Sequence, residues 1–132
     1  MMQAIGIDAV EIARFAQWHT KSLTSLQRVF SKAEIAYALE NSAKSAERFA
    51  VRFAAKEAFL KAVQQLFPVH TFSLLKILKY CSIEKTSTDQ PYLIIDWHQL
   101  IGQDIPTISH SVSLTHTHTT AFAVVMLYKK SP

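Results

Sequence analysis

The stretch Arg52-Phe-Ala-Ala-Lys-Glu-Ala-Phe-Leu-Lys-Ala62 sets charge into a helix whose two sides are both apolar. At roughly 100° per residue, Phe49, Phe53, Leu60, Val63 and Phe67 line one side. Ala50, Ala54 and Ala58, with Val51, Ala55 and Ala62, cover most of the other side with small side chains. A helix apolar on two sides is packed on both. Yet Arg48, Arg52 and Lys56 run down it at i, i+4 spacing, and Glu57 and Lys61 form a second charged line. Charges on a buried helix must be paired, metal-bound or directed into a cleft. The pattern predicts a long central helix from about Ala43 to Phe67, ended by Pro68, that carries a site.

Around this helix the periods change. Ala4 to Val10 is a short apolar run with β-branched residues, read as a strand ending near Asp8. Glu11 to about Trp18 reads as a helix with Glu11 in its first turn. Ser31-Lys-Ala-Glu34 is a capping box opening a helix that carries Ile35, Tyr37, Ala38 and Leu39. After Pro68, Leu74–Tyr80, Cys81–Lys85 and Tyr92–Trp97 suggest strands, with a polar turn at Thr86–Pro91. Ile108–Thr115 and Ala121–Tyr128 look like a closing hairpin, with His116 to Thr120 at its turn. Helices first and strands later predict an α+β fold with an antiparallel sheet on the long helix. No repeat or linker interrupts the chain, so residues 1–132 are read as one domain.

Composition narrows the function classes. With 49% apolar and 18% charged residues, the chain is an ordinary globular protein. A formal charge of +4 and a pI near 9.3 favour an acidic partner or a phosphorylated ligand. The single cysteine, Cys81, rules out an internal disulfide framework and suits a reducing, cytoplasmic setting. The N-terminus shows no signal-peptide pattern, and the longest apolar run is far too short to span a bilayer. Only Gly6 and Gly102 are glycines, so neither a GxGxxG fingerprint nor a Walker loop exists.

Several residues could carry chemistry. Asp8 at the end of an apolar strand is either an N-cap for the next helix or a ligand. Glu57 is either an i, i+4 partner of Lys61 or a ligand. Together they are two hard oxygen ligands suited to Mg²⁺, which binds phosphates through one or two carboxylates. Lysines beside such a site would neutralise phosphate charge. His116 and His118 form a His-x-His pair that zinc or iron could use with His110, though no acidic or cysteine ligand completes the set. The serines around His110 lack a Gly-x-Ser-x-Gly elbow.

Three segments appear in order: Ile5-Gly-Ile-Asp-Ala-Val-Glu-Ile-Ala-Arg-Phe15, Arg52 to Ala62, and Val112-Ser-Leu-Thr-His-Thr117. The set resembles the holo-acyl-carrier-protein synthases, the small 4′-phosphopantetheinyl transferases. Their pattern is Gly-x-Asp-x-x-Glu, then Arg-Phe-Ala-Ala-Lys-Glu-Ala-x-x-Lys-Ala, then a Ser-Ile-Ser/Thr-His strand end. The resemblance covers nearly the whole chain, and the middle motif is very specific. It implies that Asp8 and Glu57 hold Mg²⁺ against the diphosphate of coenzyme A. A carrier-protein serine would attack the phosphorus joined to pantetheine and release 3′,5′-ADP. Glu57 would take the serine proton, so that Asp8, Glu57 and Lys61 carry the catalysis. Lys61, Lys56, Thr115 and His116 would contact coenzyme A, with a structural ion pair as the other reading of Lys56. Arg14, Lys21 and Arg28 would receive an acidic acyl carrier protein. Homotrimers with coenzyme A between subunits are common in the family, and a trimer is expected here.

Two departures stand out. Where the family continues with a Gly-Thr-Gly-like segment, Val63-Gln-Gln65 follows Ala62, and Thr88-Asp-Gln-Pro91 replaces a Gly-Lys-Pro turn. Side chains there would obstruct a backbone phosphate cradle. The alternative function is therefore a non-catalytic relative that binds the carrier but has impaired coenzyme A binding. The sequence leaves open whether the carrier serves fatty acid or polyketide synthesis.

Overall fold

The computed structural model describes residues 2–103 and 107–130. Its axis is helix α3, Ser45–Leu66. Against α3 lies an antiparallel sheet in the order β1-β5-β4, formed by Met2–Glu11, Thr120–Lys129 and Ile108–His116. A second, two-stranded sheet pairs β2 (Cys81–Lys85) with β3 (Pro91–Ile95). Four shorter helices complete the fold: α1 (Leu23–Leu26), α2 (Lys32–Leu39), α4 (Leu74–Tyr80) and α5 (Trp97–Ile101). The α+β architecture with a long helix under an antiparallel sheet matches the sequence expectation.

The alanine side of α3 faces the sheet. Ala50, Ala54, Ala58 and Ala62 are fully buried, and their small side chains let β1 come down onto the helix. At Gly6 the approach is closest. A Cβ there would run into the Ala58 carbonyl and crowd the Ala62 nitrogen, so only glycine fits. The phenylalanine side packs into an aromatic cluster of Phe15, Trp18, Phe30, Phe49 and Phe53, with neighbouring centroids 4.7–6.3 Å apart.

Four local expectations are corrected. Glu11–Trp18 is not an α-helix: β1 runs on to Glu11, and short 3₁₀ turns follow at Ile12–Phe15 and Trp18–Thr20. The Ile12 N–H is taken by the Thr119 carbonyl at 2.8 Å, so the chain stays tethered to the sheet. Leu74–Tyr80 is helical, not a strand. Ser73 caps it by accepting the Lys76 N–H, and Leu74, Ile77 and Leu78 sit at helical spacing. Trp97 leaves its expected strand to open α5, capped by Asp96. Asp8 is neither a strand end nor a cap: it pairs in register with Ala123 inside β1.

The capping box at Ser31 and Glu34 forms as read, and Glu34 does more. Its carboxylate accepts from Ser31 N at 2.8 Å and Ile83 N at 2.9 Å, and meets Lys56 Nζ at 2.7 Å. Lys56 Nζ also donates to the carbonyls of Val29 (2.8 Å) and Leu78 (3.1 Å). Both side chains are fully buried, and all three ammonium hydrogens have acceptors. His110 joins the two sheets by accepting the Leu93 N–H at 2.9 Å, and burial holds its pKa below the usual value.

Removing one member of a buried pair strands the other charge, at a cost of about 3–5 kcal/mol. Lys56→Met should lose stability on that scale in urea unfolding, and Glu34→Gln combined with Lys56→Met should regain most of it. A loss below about 1 kcal/mol in the single variant would place the pair among ordinary surface bridges.

Candidate functional site

α3 carries two sets of polar groups on nearly opposite faces. Glu57 and Lys61 share one face, and Glu57 lies roughly 140° around the axis from Arg52 at 100° per residue. The Glu57 face meets the β1 edge of the sheet. Lys61 Nζ donates to the Ile7 carbonyl at 2.9 Å and to Asp8 Oδ1 at 3.1 Å. Lys61 is thus drawn to Asp8 across the helix–strand gap instead of pairing with Glu57 along its own helix.

Glu57 stands against Asp8. Burial first, then the Asp8 charge and a hydrogen bond to Asp8, raise the Glu57 pKa, while Arg14 and Lys61 pull it down. Once both carboxylates are ionised neither has a hydrogen to give, and Asp8 Oδ2 is buried with no hydrogen-bond partner. Two facing carboxylates with an orphaned buried oxygen fit a hard divalent cation. Arg14, exposed at the end of the first 3₁₀ turn, has its guanidinium 4.8 Å from the Phe53 ring. Lys21 lies over Trp18 at 5.1 Å, and Lys21 and Arg28 are both exposed.

The other face of α3 meets the β4 edge in a cavity of about 520 Å³. Lys44, Glu47, Arg48 and Arg52 come from α3 and its N-terminal boundary, Tyr37 from α2, Lys85 from β2, and Thr115 and His116 from β4. His116 Nε2 meets Glu47 Oε1 at 2.8 Å, and Nδ1 lies 3.1 Å from the Thr117 carbonyl. Arg52 is 2% exposed. Burial lowers its pKa most, against the opposing pull of Glu34 and Tyr37.

The site residues expected from sequence therefore divide. Asp8, Glu57 and Lys61 converge on one side of α3, and Thr115 and His116 line the pocket on the other. Lys56 belongs to neither: sealed in the core and neutralised by Glu34, it cannot reach a ligand. His110 lies six residues from His116 along β4, about 20 Å, so the two do not converge, and His118 is an exposed turn residue. No group of three metal-ligating side chains occurs among the described residues. The departure at Val63-Gln-Gln65 has a structural outcome. Val63 is buried, Gln64 binds the carbonyls of Phe67 and His70, and Gln65 Oε1 accepts the Ile5 N–H. α3 continues as helix through these positions.

The basic pocket itself was missed in the sequence. Lys44, Arg48 and Arg52 form an i, i+4 row that signals it, but Tyr37 and Lys85 join from distant segments with no local mark.

Comparison with known proteins bears on these features. The model of the 4′-phosphopantetheinyl transferase superfamily matches residues 4–124. A holo-[acyl-carrier-protein] synthase of Treponema denticola is 36% identical over 135 residues, covering 96% of this chain and 98% of that protein. One from Cytophaga hutchinsonii is 37% identical, covering 98% and 99%. In fold, the chain is similar to the Chronobacterium ammoniagenes ACPS–CoA complex, with TM-score 0.81, 23% identity and coverage of 99% and 100%. The Helicobacter pylori synthase in complex with coenzyme A aligns with TM-score 0.65 at 26% identity, over 94% and 99% of the two chains.

The raised Glu57 pKa has a definite sign for stability. Below the ordinary carboxylate value of 4.5, folded and unfolded chains both hold the proton. As pH rises above it the unfolded chain releases its proton first, so folding loses stability up to the folded pKa and the loss persists beyond. Glu57→Gln should therefore melt above the parent at pH 7, and the gap should shrink near pH 4. Mg²⁺ should raise the parent's melting temperature and leave that of Glu57→Gln nearly unchanged. A pH-independent gap would contradict the carboxylate pair as its source.

Proposed function

The chain belongs to the 4′-phosphopantetheinyl transferase superfamily and is a transferase of that kind, and from this premise we propose that it converts an apo-acyl carrier protein to its holo form. The donor is coenzyme A and the leaving product is adenosine 3′,5′-bisphosphate. The observation that carries the reading is the carboxylate pair of Asp8 and Glu57 with its partnerless Oδ2, beside Lys61. Asp8 and Glu57 would hold Mg²⁺, which when bound neutralises charge on the phosphoryl oxygens and orients the leaving group.

The chain's own residues supply the rest. The carrier serine oxygen forms a bond to the phosphorus bearing pantetheine, and the bridging diphosphate bond breaks toward the adenosine side. Glu57, whose carboxyl is held above its usual range by burial and the Asp8 charge, takes the serine proton. Lys61, held by Asp8 and the Ile7 carbonyl, offers its remaining hydrogen to phosphate. Arg14, Lys21 and Arg28 form an exposed basic approach that suits an acidic carrier and would act mainly on encounter rate.

The pocket of Lys44, Arg48, Arg52, Lys85 and His116 suits the adenosine end of coenzyme A, whose 3′-phosphate needs cations. It lies across α3 from Asp8 and Glu57 in the same chain. One coenzyme A would therefore engage the carboxylates of one protomer and the pocket of the next. The outer face of the sheet supports such an assembly: Ile5 and Ile7 are 52% and 60% exposed, beside half-buried Phe122, Val124 and Met126. A head-to-tail contact of this kind forms a ring where its rotation closes, and the proposed ring is a trimer, the assembly that the family resemblance implies. Residues 1–132 act as one domain in this reading. No described helix is long and apolar enough to cross a membrane; the cytoplasmic setting rests on the lone cysteine.

Incubation with coenzyme A, Mg²⁺ and apo-carrier should add one phosphopantetheine to the carrier by mass, and chelating the metal should stop it. Asp8→Ala should slow the transfer by about 100-fold or more. Carrier binding with no mass gain and no calorimetric coenzyme A binding would favour the non-catalytic relative instead.

A further inference from the structure

Arg48, Arg52 and Lys85 converge from two elements, and like charges so placed repel. Tyr37, on the last turn of α2, stands among them. The guanidinium carbons of Arg48 and Arg52 lie 3.9 and 4.3 Å from its ring centroid. Lys85 Nζ is 5.1 Å from the centroid and 3.0 Å from the hydroxyl. Arg48 also donates to the Tyr37 carbonyl at 2.7 Å. One residue thus touches all three cations.

Arg52 depends on that ring most. Its terminal nitrogen donates to the Arg48 carbonyl at 3.3 Å, its Nε is buried with no partner, and no carboxylate pairs with it among the described residues. Arg48 and Lys85 do have carboxylates, Glu40 at 3.3 Å and Asp89 at 3.3 Å, but both of those are largely exposed. An aromatic face attracts a cation through its quadrupole while carrying no net charge. A carboxylate in its place would hold the arginines as well but would cancel their field and repel an incoming phosphate.

We propose that Tyr37 is a positioning residue, whose ring and hydroxyl hold Arg48, Arg52 and Lys85 ready for the 3′-phosphate of coenzyme A. This rests on assigning the pocket to the adenosine end of the substrate. Tyr37 touches no reacting atom; it acts through the three cations. Cations fixed in advance lose less freedom when the ligand arrives, so the gain falls on substrate binding more than on the chemical step.

The test compares coenzyme A with 3′-dephospho-coenzyme A as donors, using the full-length enzyme. The parent should prefer coenzyme A. Tyr37→Leu should raise KM for coenzyme A roughly 10-fold or more with kcat little changed, and leave KM for the dephospho form unaltered. Tyr37→Phe, which keeps the ring, should stay within about threefold of the parent. Equal effects on both donors, or an unchanged KM in Tyr37→Leu, would overturn the role of Tyr37 while the pocket assignment stands. A parent blind to the 3′-phosphate would overturn the assignment and the proposal with it. Should Tyr37→Leu not fold, the cycle of Tyr37→Phe with Lys85→Met decides. Non-additive effects on KM for coenzyme A support the hydroxyl link, and strict additivity rejects it.

Discussion

The buried ion pair of Lys56 with Glu34 is the constraint on which the site depends. Lys56 lies near the middle of α3, and its ammonium is tied at once to α2, to the Val29 and Leu78 carbonyls and, through Glu34, to the middle of β2. A fully satisfied buried charge of this kind tolerates no rotation of its helix, since any turn would break three hydrogen bonds in a medium that offers no replacement. Gly6 reinforces the constraint from the other side, by holding β1 against the Ala58 backbone. With the rotation of α3 set, Glu57 and Lys61 must face the β1 edge, and Arg48 and Arg52 must face the pocket at β4.

From this follows the division of labour along one helix. On one face two carboxylates share a space that favours either a proton or a cation. On the other, four basic residues gather, and the carboxylates beside them, Glu40, Glu47 and Asp89, are already engaged by Arg48, His116 and Lys85. The two faces carry unbalanced charge of opposite sign, and in the proposed function a phosphate-rich substrate with a divalent cation would balance both. Because α3 itself stands between them, the two faces meet only when chains are placed side by side.

Much of this was legible in the sequence, for physical reasons that differ by element. α3 was readable because its apolar residues, its charges and Pro68 agree on one period and one end. The capping box at Ser31 declares α2 by local chemistry alone. Leu74–Tyr80 was misread because a short, continuous apolar run fits a buried strand or a buried helix equally well, and the deciding residue, Ser73, lies outside the run. Asp8, Glu57 and Lys61 were candidates from the type of their groups, with a cap and an i, i+4 pair as the other readings, and the fold brings the three together. Lys56 carried the same charge at an equally regular position, yet its partner lies 22 residues away. Its burial is a tertiary fact that no local pattern announces. The same holds for Tyr37, whose three cations come from segments that meet only in the fold.

In the proposed assembly a working site takes the carboxylates of one protomer and the cation pocket of another. That sharing is tested by mixing two impaired variants, Asp8→Asn and Arg52→Met, through joint refolding or co-expression, and measuring phosphopantetheine transfer at limiting coenzyme A. Random mixing at equal amounts should restore activity to about a quarter of the parental sites, those that draw their carboxylates from Arg52→Met and their pocket from Asp8→Asn. Mixed oligomers with no activity above that of the separate variants would contradict a shared site, because both halves would then have to reside in one chain.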